Sequence, residues 1–192
     1  MRKFLLNRLP LFPLACMAMV LALVCCMATA GQCAGQVEEP VLKVAYLYNF
    51  SKYVQWPQNG PHASPQDAFD ICVIRGERLR APLKQLETRS VNGRPIVTHM
   101  LSELPGDQIC EMVYFAGGTR SEIAADLLLL AGQPVLTIAD LTGFAVQGGM
   151  IELTRKNDRI RFRINVDKVR EAGLHISSRL LKLATIVREM EF

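Results

Sequence analysis

The chain has 192 residues, of which 50% are hydrophobic and 21% charged, and its formal net charge is +4. Three of the 22 basic side chains and none of the 18 acidic ones lie in the first thirty residues, so the rest of the chain carries only +1. This surplus is too small for nucleic acid to be the main partner, because such binding depends on neutralising many phosphates. The length predicts one globular domain.

The first thirty residues have the pattern of a cleaved secretion signal. Three basic residues precede an apolar run over residues 9–27, and Ala-Thr-Ala follows as a cleavage site. Because the run approaches the length of a membrane-spanning helix, an uncleaved anchor is the alternative. We expect a cleaved signal peptide over residues 1–30, export of the mature protein, a flexible polar tail over residues 31–40 and a folded domain over residues 41–192.

Aromatic side chains recur at helical spacing directly after this tail. The predicted helix ends before Pro57, because proline lacks the backbone donor that a helix needs. Its predicted buried face consists of Leu42, Tyr46, Phe50, Tyr53 and Trp56. Packing is the expected role of these rings.

Short apolar runs alternate with helical patterns through the middle of the chain. The predicted strands are residues 69–74, 95–100, 110–116 and 134–139, and the predicted helices are residues 79–86 and 119–131. A turn is predicted at residues 91–93, and Thr119 with Glu122 forms a capping box. This alternation predicts an α/β fold: a single three-layer domain with a largely parallel sheet and flanking helices.

The C-terminal third predicts an antiparallel hairpin followed by two helices. The hairpin comprises residues 150–154 and 160–165, and the helices comprise residues 167–172, broken at Gly173, and residues 177–190.

Basic residues are concentrated around the turn of this hairpin: Arg155, Lys156, Arg159, Arg161 and Arg163. Because side chains alternate along a strand, the last three share one side. Two interpretations are open, a solvated strand face or a docking patch for an anionic polymer or partner.

Three cysteines, Cys33, Cys72 and Cys110, follow the predicted signal. In an oxidising compartment thiols tend to pair. Cys33 lies in the polar tail, whereas Cys72 and Cys110 each lie in an apolar run, so we predict a disulfide between these two. Two buried, reduced thiols are the alternative.

Glycines after the third predicted strand provide the best candidate for ligand binding. Gly117, Gly118 and Thr119 could present amides to an anion, and Asp140 ends the next strand. A small-molecule sensor with a cleft at these residues, feeding a membrane kinase or cyclase, is therefore one hypothesis for the function. A tight turn explains the glycines equally well, since their spacing fits no nucleotide-binding motif.

The sequence predicts neither an enzyme nor a cofactor or metal. His62, His99 and His175 are scattered without metal-ligand spacing, and there is no Gly-x-Ser-x-Gly or Cys-x-x-Cys motif.

Two segments resemble the YfiR-like family of periplasmic proteins: LKVAYLYNFSKYVQWP (residues 42–57) and INVDKVREAGLHISSRLLKLATIV (residues 164–187). The resemblance implies a repressor that binds the periplasmic region of an inner-membrane diguanylate cyclase of the YfiN type. Such a repressor limits cyclic di-GMP synthesis and biofilm formation, and envelope or redox stress relieves the repression. Relatives also suggest a homodimer that meets the membrane only through its partner.

The resemblance further implies roles for individual residues. Cys72 and Cys110 match the family's stabilising cysteine pair, but a second pair that relatives have within residues 144–152 is missing here, so a two-disulfide switch is not expected. Apolar C-terminal residues match the part of the family expected to contact the partner: Ile164, Val169, Leu174, Ile176 and Leu180.

Overall fold

The computed structural model describes residues 38–57, 67–106, 110–157 and 159–188. The predicted signal peptide, Cys33 and His62 lie outside these ranges. The strands are β1 (Val54–Gln55), β2 (Phe69–Ile74), β3 (Ser90–Val91), β4 (Arg94–Leu101), β5 (Met112–Phe115), β6 (Leu136–Ala139), β7 (Ile151–Lys156), β8 (Arg159–Asn165), β9 (His175–Ile176) and β10 (Thr185–Val187). The α-helices are α1 (Glu39–Tyr53), α2 (Arg80–Lys84), α3 (Arg120–Leu129), α4 (Val166–Glu171) and α5 (Ser178–Leu181). Short 3-10 turns lie at Glu77–Leu79, Leu86–Thr88 and Phe144–Val146.

Eight strands form one sheet in the order β10-β8-β7-β6-β5-β2-β4-β3. The strands β4, β2, β5, β6 and β7 are parallel neighbours, and β7 with β8 forms the antiparallel hairpin. β10 adds to β8 in parallel, while β1 and β9 form a separate antiparallel pair. The α/β class, the mostly parallel sheet and the C-terminal hairpin are therefore confirmed.

Helices cover both faces of the sheet, which gives three layers. Alternate residues of β2 divide two hydrophobic cores, because successive strand side chains point to opposite faces. Ile71 and Val73 join the core under α1, whereas Cys72 and Ile74 join the core under α3.

Local sequence signals explain two of the boundaries. At the start of α3 the Glu122 amide donates to Thr119 Oγ1 at 3.3 Å, and the Thr119 amide donates to Glu122 Oε2 at 2.7 Å, which confirms the capping box. Between β3 and β4, Asn92 and Gly93 have φ values of 51° and 85°. These left-handed conformations are typical of a two-residue hairpin turn, and glycine adopts them without strain.

The first helix buries a different face from the one predicted. Val44, Leu47 and Phe50 are buried, whereas Tyr53 is 36% exposed. The inner face of the helix thus consists of two aliphatic residues, Val44 and Leu47, and of one of the predicted aromatic residues, Phe50. Phe50 packs edge-on against Phe162 of β8 with ring centroids 5.2 Å apart.

The first helix also ends several residues before Pro57, the residue that was predicted to stop it. Its last residue is Tyr53, because Val54 and Gln55 become extended and pair with Ile176 and His175. A tertiary strand pairing, rather than the proline, ends the helix.

The predicted helix over residues 177–190 is wrong. Ser177 does cap a helix, accepting a hydrogen bond from the Leu180 amide at 3.4 Å, but α5 is only four residues long. Thr185–Val187 instead forms β10 on the free edge of β8. These three residues are β-branched, and such side chains favour a strand once an edge is available for pairing.

Candidate functional site

A charged cleft opens at the carboxyl ends of β2 and β5. It has a volume of about 560 Å³. Its lining comes from the start of α1, the segment after β2 and the end of β5: Glu39, Pro40, Lys43, Arg75, Gly76, Glu77, Arg78, Leu79, Tyr114 and Ala116. Clefts at this edge of a parallel sheet are the usual place for a ligand in α/β folds.

Lys43, which lines this cleft, forms two ion pairs. Its Nζ atom lies 2.8 Å from Glu39 Oε1 and 2.5 Å from Asp140 Oδ2. Burial disfavours the charged amine, but the hydrogen bonds with Asp140 and Glu39 outweigh burial and raise the pKa of Lys43. The same hydrogen bond lowers the pKa of Glu39. Lys43 is therefore held as an ammonium ion.

Tyr114 forms the buried end of the same network. Burial, followed by the negative charge and hydrogen bond of Asp140, raises the pKa of its phenol far above the ordinary value. A protonated amine is not a nucleophile, and a phenol that keeps its proton is not a base at neutral pH. Neither Lys43 nor Tyr114 is thus prepared to start a covalent reaction.

The predicted ligand residues do not come together in one site. Asp140 contacts Lys43 beside the cleft, but Thr119 is occupied by its capping box. Gly117 and Gly118 pack against Arg75, leaving only 2.8 Å between Arg75 Nη1 and a Cβ atom placed on Gly118. Ligand binding by these residues stays a prediction.

Arg75, which sequence reasoning missed, lies between the cleft and α3. Its backbone has φ 56°, an unusual conformation for a residue other than glycine. Nη2 lies 3.4 Å from Glu122 Oε1, while Nη1 is buried and has no hydrogen-bond partner in the described ranges. This atom is an unsatisfied donor at the edge of the cleft.

Most of the apolar residues assigned to partner binding lie inside the domain. Ile164, Val169, Leu174 and Leu180 are buried in the core, and Ile176 is half-buried. Their side chains are needed for packing in this conformation, and their role in partner contact stays a prediction.

Exposed apolar side chains nevertheless occur in the same C-terminal segment. Leu183 is 71% exposed and Ile186, on the edge strand β10, is 44% exposed. We call these two residues the apolar edge.

Cys72 and Cys110 form the predicted disulfide, with their Cα atoms 5.8 Å apart. Both are buried in the core under α3. The bond joins the middle of β2 to the residue two positions before β5, and these strands are direct neighbours in the sheet. The disulfide therefore links β2 covalently to the segment that leads into its neighbouring strand β5.

Hydrogen bonds hold the segment in which relatives have a second cysteine pair. The Ala145 amide donates to Glu152 Oε2 at 3.1 Å, and Asn165 Nδ2 donates to the Ala145 carbonyl at 2.7 Å. The Met150 amide donates to Thr137 Oγ1 at 3.1 Å. These contacts do not depend on redox state.

The histidines that fall in the described ranges lie on strands of different sheets. His99 Nε2 lies 2.7 Å from Asp70 Oδ1 on neighbouring strands, and His175 is exposed on β9. Within those same ranges no group of three or more potential ligands is placed to hold a metal ion. No helix there combines the length and apolar character needed to cross a bilayer.

A family model described as YfiR/HmsC-like matches residues 40–185. This range includes the described fold from the second residue of α1 to the first residue of β10.

Proposed function

Because the chain belongs to the YfiR/HmsC-like family, we propose that it is a periplasmic repressor that binds the periplasmic region of an inner-membrane diguanylate cyclase of the YfiN type. Family membership supports a regulatory role in diguanylate cyclase signalling rather than catalysis. The specific partner, the periplasmic location and a homodimeric state are parts of the proposal.

The apolar edge is the observation that carries the proposal of partner contact. Leu183 and Ile186 lie in the C-terminal segment that the family resemblance assigns to the partner, and they are exposed, whereas Ile164, Val169, Leu174 and Leu180 are buried. Exposed apolar side chains on or beside an edge strand favour association with another protein. We therefore add these two residues to the proposed partner contact.

In this mechanism the repressor acts by binding and catalyses no reaction. A protein that binds the inactive conformation of the cyclase more tightly than the active one shifts the population towards the inactive state. The shift is limited by the difference between the two affinities.

The Cys72–Cys110 disulfide makes repression sensitive to redox conditions. Its reduction lowers the stability of the folded repressor, so less competent repressor is available and cyclic di-GMP rises. The hydrogen-bonded segment around Ala145 would not respond to reductant.

A binding experiment tests the apolar edge. The cyclase's periplasmic segment is titrated with the wild-type protein and with Leu183→Asp and Ile186→Asp variants. Leu129→Asp is the matched control, because Leu129 on α3 is 70% exposed and Leu183 is 71% exposed. We expect at least tenfold weaker binding for the two edge variants and unchanged binding for the control. Equal losses in all three variants, or no binding by the wild type with or without reductant, would contradict the proposal.

A second candidate function is a small-anion sensor. It is favoured by Arg75, which lines the charged cleft and whose buried Nη1 has no hydrogen-bond partner among the residues that the structure describes. Inorganic phosphate should then raise the melting temperature of the wild type, and Arg75→Gln should abolish this rise. An equal rise in both proteins would place phosphate elsewhere and remove this candidate.

A further inference from the structure

Among the residues that the structure describes, two of the five basic residues around the β7–β8 turn have an acidic partner. Arg155 Nη1 lies 2.8 Å from Glu39 Oε2, and Arg163 Nη1 lies 3.5 Å from the buried Glu152 Oε1. These two arginines have structural roles within the domain.

The other three, Lys156, Arg159 and Arg161, are exposed and form no ion pair with any residue that the structure describes. The strand register sets Lys156 directly opposite Arg159. Like charges directly opposite each other on neighbouring strands are destabilising. Stability of the domain therefore does not explain why two cations face each other across this hairpin.

The three cations lie on one side of the hairpin, which we call the basic face. Phe162 points to the other side of the sheet and packs on Phe50 of α1. In the described parts of β7 and β8 the basic side carries glutamate, threonine, lysine and arginine, without aromatic residues. The described part of this side therefore offers no ring for stacking a base or a sugar.

We propose that the basic face docks on the anionic phospholipid headgroups of a membrane surface. Three long, exposed cationic side chains on one face complement a diffuse negative surface, and juxtamembrane clusters of lysine and arginine bind anionic headgroups in this way. Each cation near such a surface contributes about fivefold in affinity. This role goes beyond repression and does not require it, and it departs from the expectation that the protein meets the membrane only through its partner, because the basic face itself contacts the bilayer.

Vesicle co-sedimentation tests the proposal. The protein is prepared from Gly31 onward, because the apolar leader would itself enter lipid and this boundary leaves the unit Glu38–Phe192 complete. Binding is measured to vesicles of phosphatidylcholine alone and to vesicles that also contain phosphatidylglycerol, at low and high salt. The test variant is K156Q/R159Q/R161Q, and the control K52Q/K84Q/R89Q removes three exposed cations elsewhere, outside the charged cleft.

We expect the wild type to bind only the phosphatidylglycerol vesicles and to release them at high salt. The hairpin variant should bind about 100-fold more weakly, while the control should retain most of the affinity. Lys156→Glu places opposite charges across the strands, so it should keep or raise the melting temperature and still weaken binding.

Three results would overturn the proposal. The wild type could fail to bind phosphatidylglycerol vesicles at low salt. Both triple variants could lose affinity equally, which would reflect net charge alone. The hairpin variant could keep its affinity for vesicles and lose its affinity for the cyclase segment, which would make an acidic protein surface the occupant.

Discussion

Removal of the disulfide should strongly destabilise the domain. The bond closes a loop with a sequence separation of 38 residues. The chain-entropy model gives about 4 kcal/mol for a loop of this length. In the double variant Cys72→Ala/Cys110→Ala, loss of two buried sulfur atoms adds a packing term on the order of 1 kcal/mol. Domains of this kind are stable by roughly 5–15 kcal/mol, so the variant should be close to the limit of folding.

Trp56 makes this prediction easy to measure. It is the only tryptophan in the chain, and its Nε1 donates to the carbonyl of Glu111, the residue after Cys110, at 3.1 Å. Its ring also packs edge-on against Phe69 at 5.0 Å. Tryptophan fluorescence during urea unfolding thus reports on the neighbourhood of the disulfide.

The control is the wild type treated with reductant. Its free energy of unfolding should fall by about 4 kcal/mol, whereas reductant should leave the double variant unchanged. A loss below about 1 kcal/mol in the variant, or equal effects of reductant on both proteins, would refute the assignment of this stability to the Cys72–Cys110 bond.

Three further measurements concern the rest of the domain. Phe50→Ala should lower the free energy of unfolding by about 3–5 kcal/mol and Tyr53→Ala by less than about 0.5 kcal/mol; similar values in urea unfolding would contradict the observed inner face of α1. Glu152→Ala leaves the buried amide of Ala145 without its acceptor, so chemical unfolding should show a loss of about 2 kcal/mol, and an unchanged midpoint would argue against this role. The raised pKa of Tyr114 means that the folded protein keeps a proton which the unfolded chain loses near pH 10.0, so stability should fall as pH rises above that value. Tyr114→Phe should make this fall less steep, and equal slopes in unfolding experiments across a pH series would show that another group is responsible.

The sequence predicts well those features that neighbouring residues determine. Apolar runs bounded by turn residues identified β2, β4, β5 and β6, and the Thr119–Glu122 spacing identified the start of α3. Each of these signals lies within a few residues of the element that it defines, so no tertiary information was needed.

The features that were missed depend on distant partners. The C-terminal segment has a helical pattern, but β10 forms because the edge of β8 is free to pair. Likewise Lys43 looks like an ordinary helix residue until Asp140, 97 residues away in sequence, is placed beside it. The sequence indicates only a packing role for Tyr114, because it lies in an apolar strand. Its interaction with the Asp140 carboxylate becomes visible only in the folded structure.

The long-range docking of α1 has a consequence for the newly made protein. Tyr46 donates to the carbonyl of Ile160, 114 residues later, and β1, directly after α1, pairs with β9. A chain that leaves the ribosome from its N-terminus can therefore form these two contacts only after most of it has been synthesised. Contacts between residues so far apart in sequence form slowly, so the domain has little opportunity to complete its fold during synthesis.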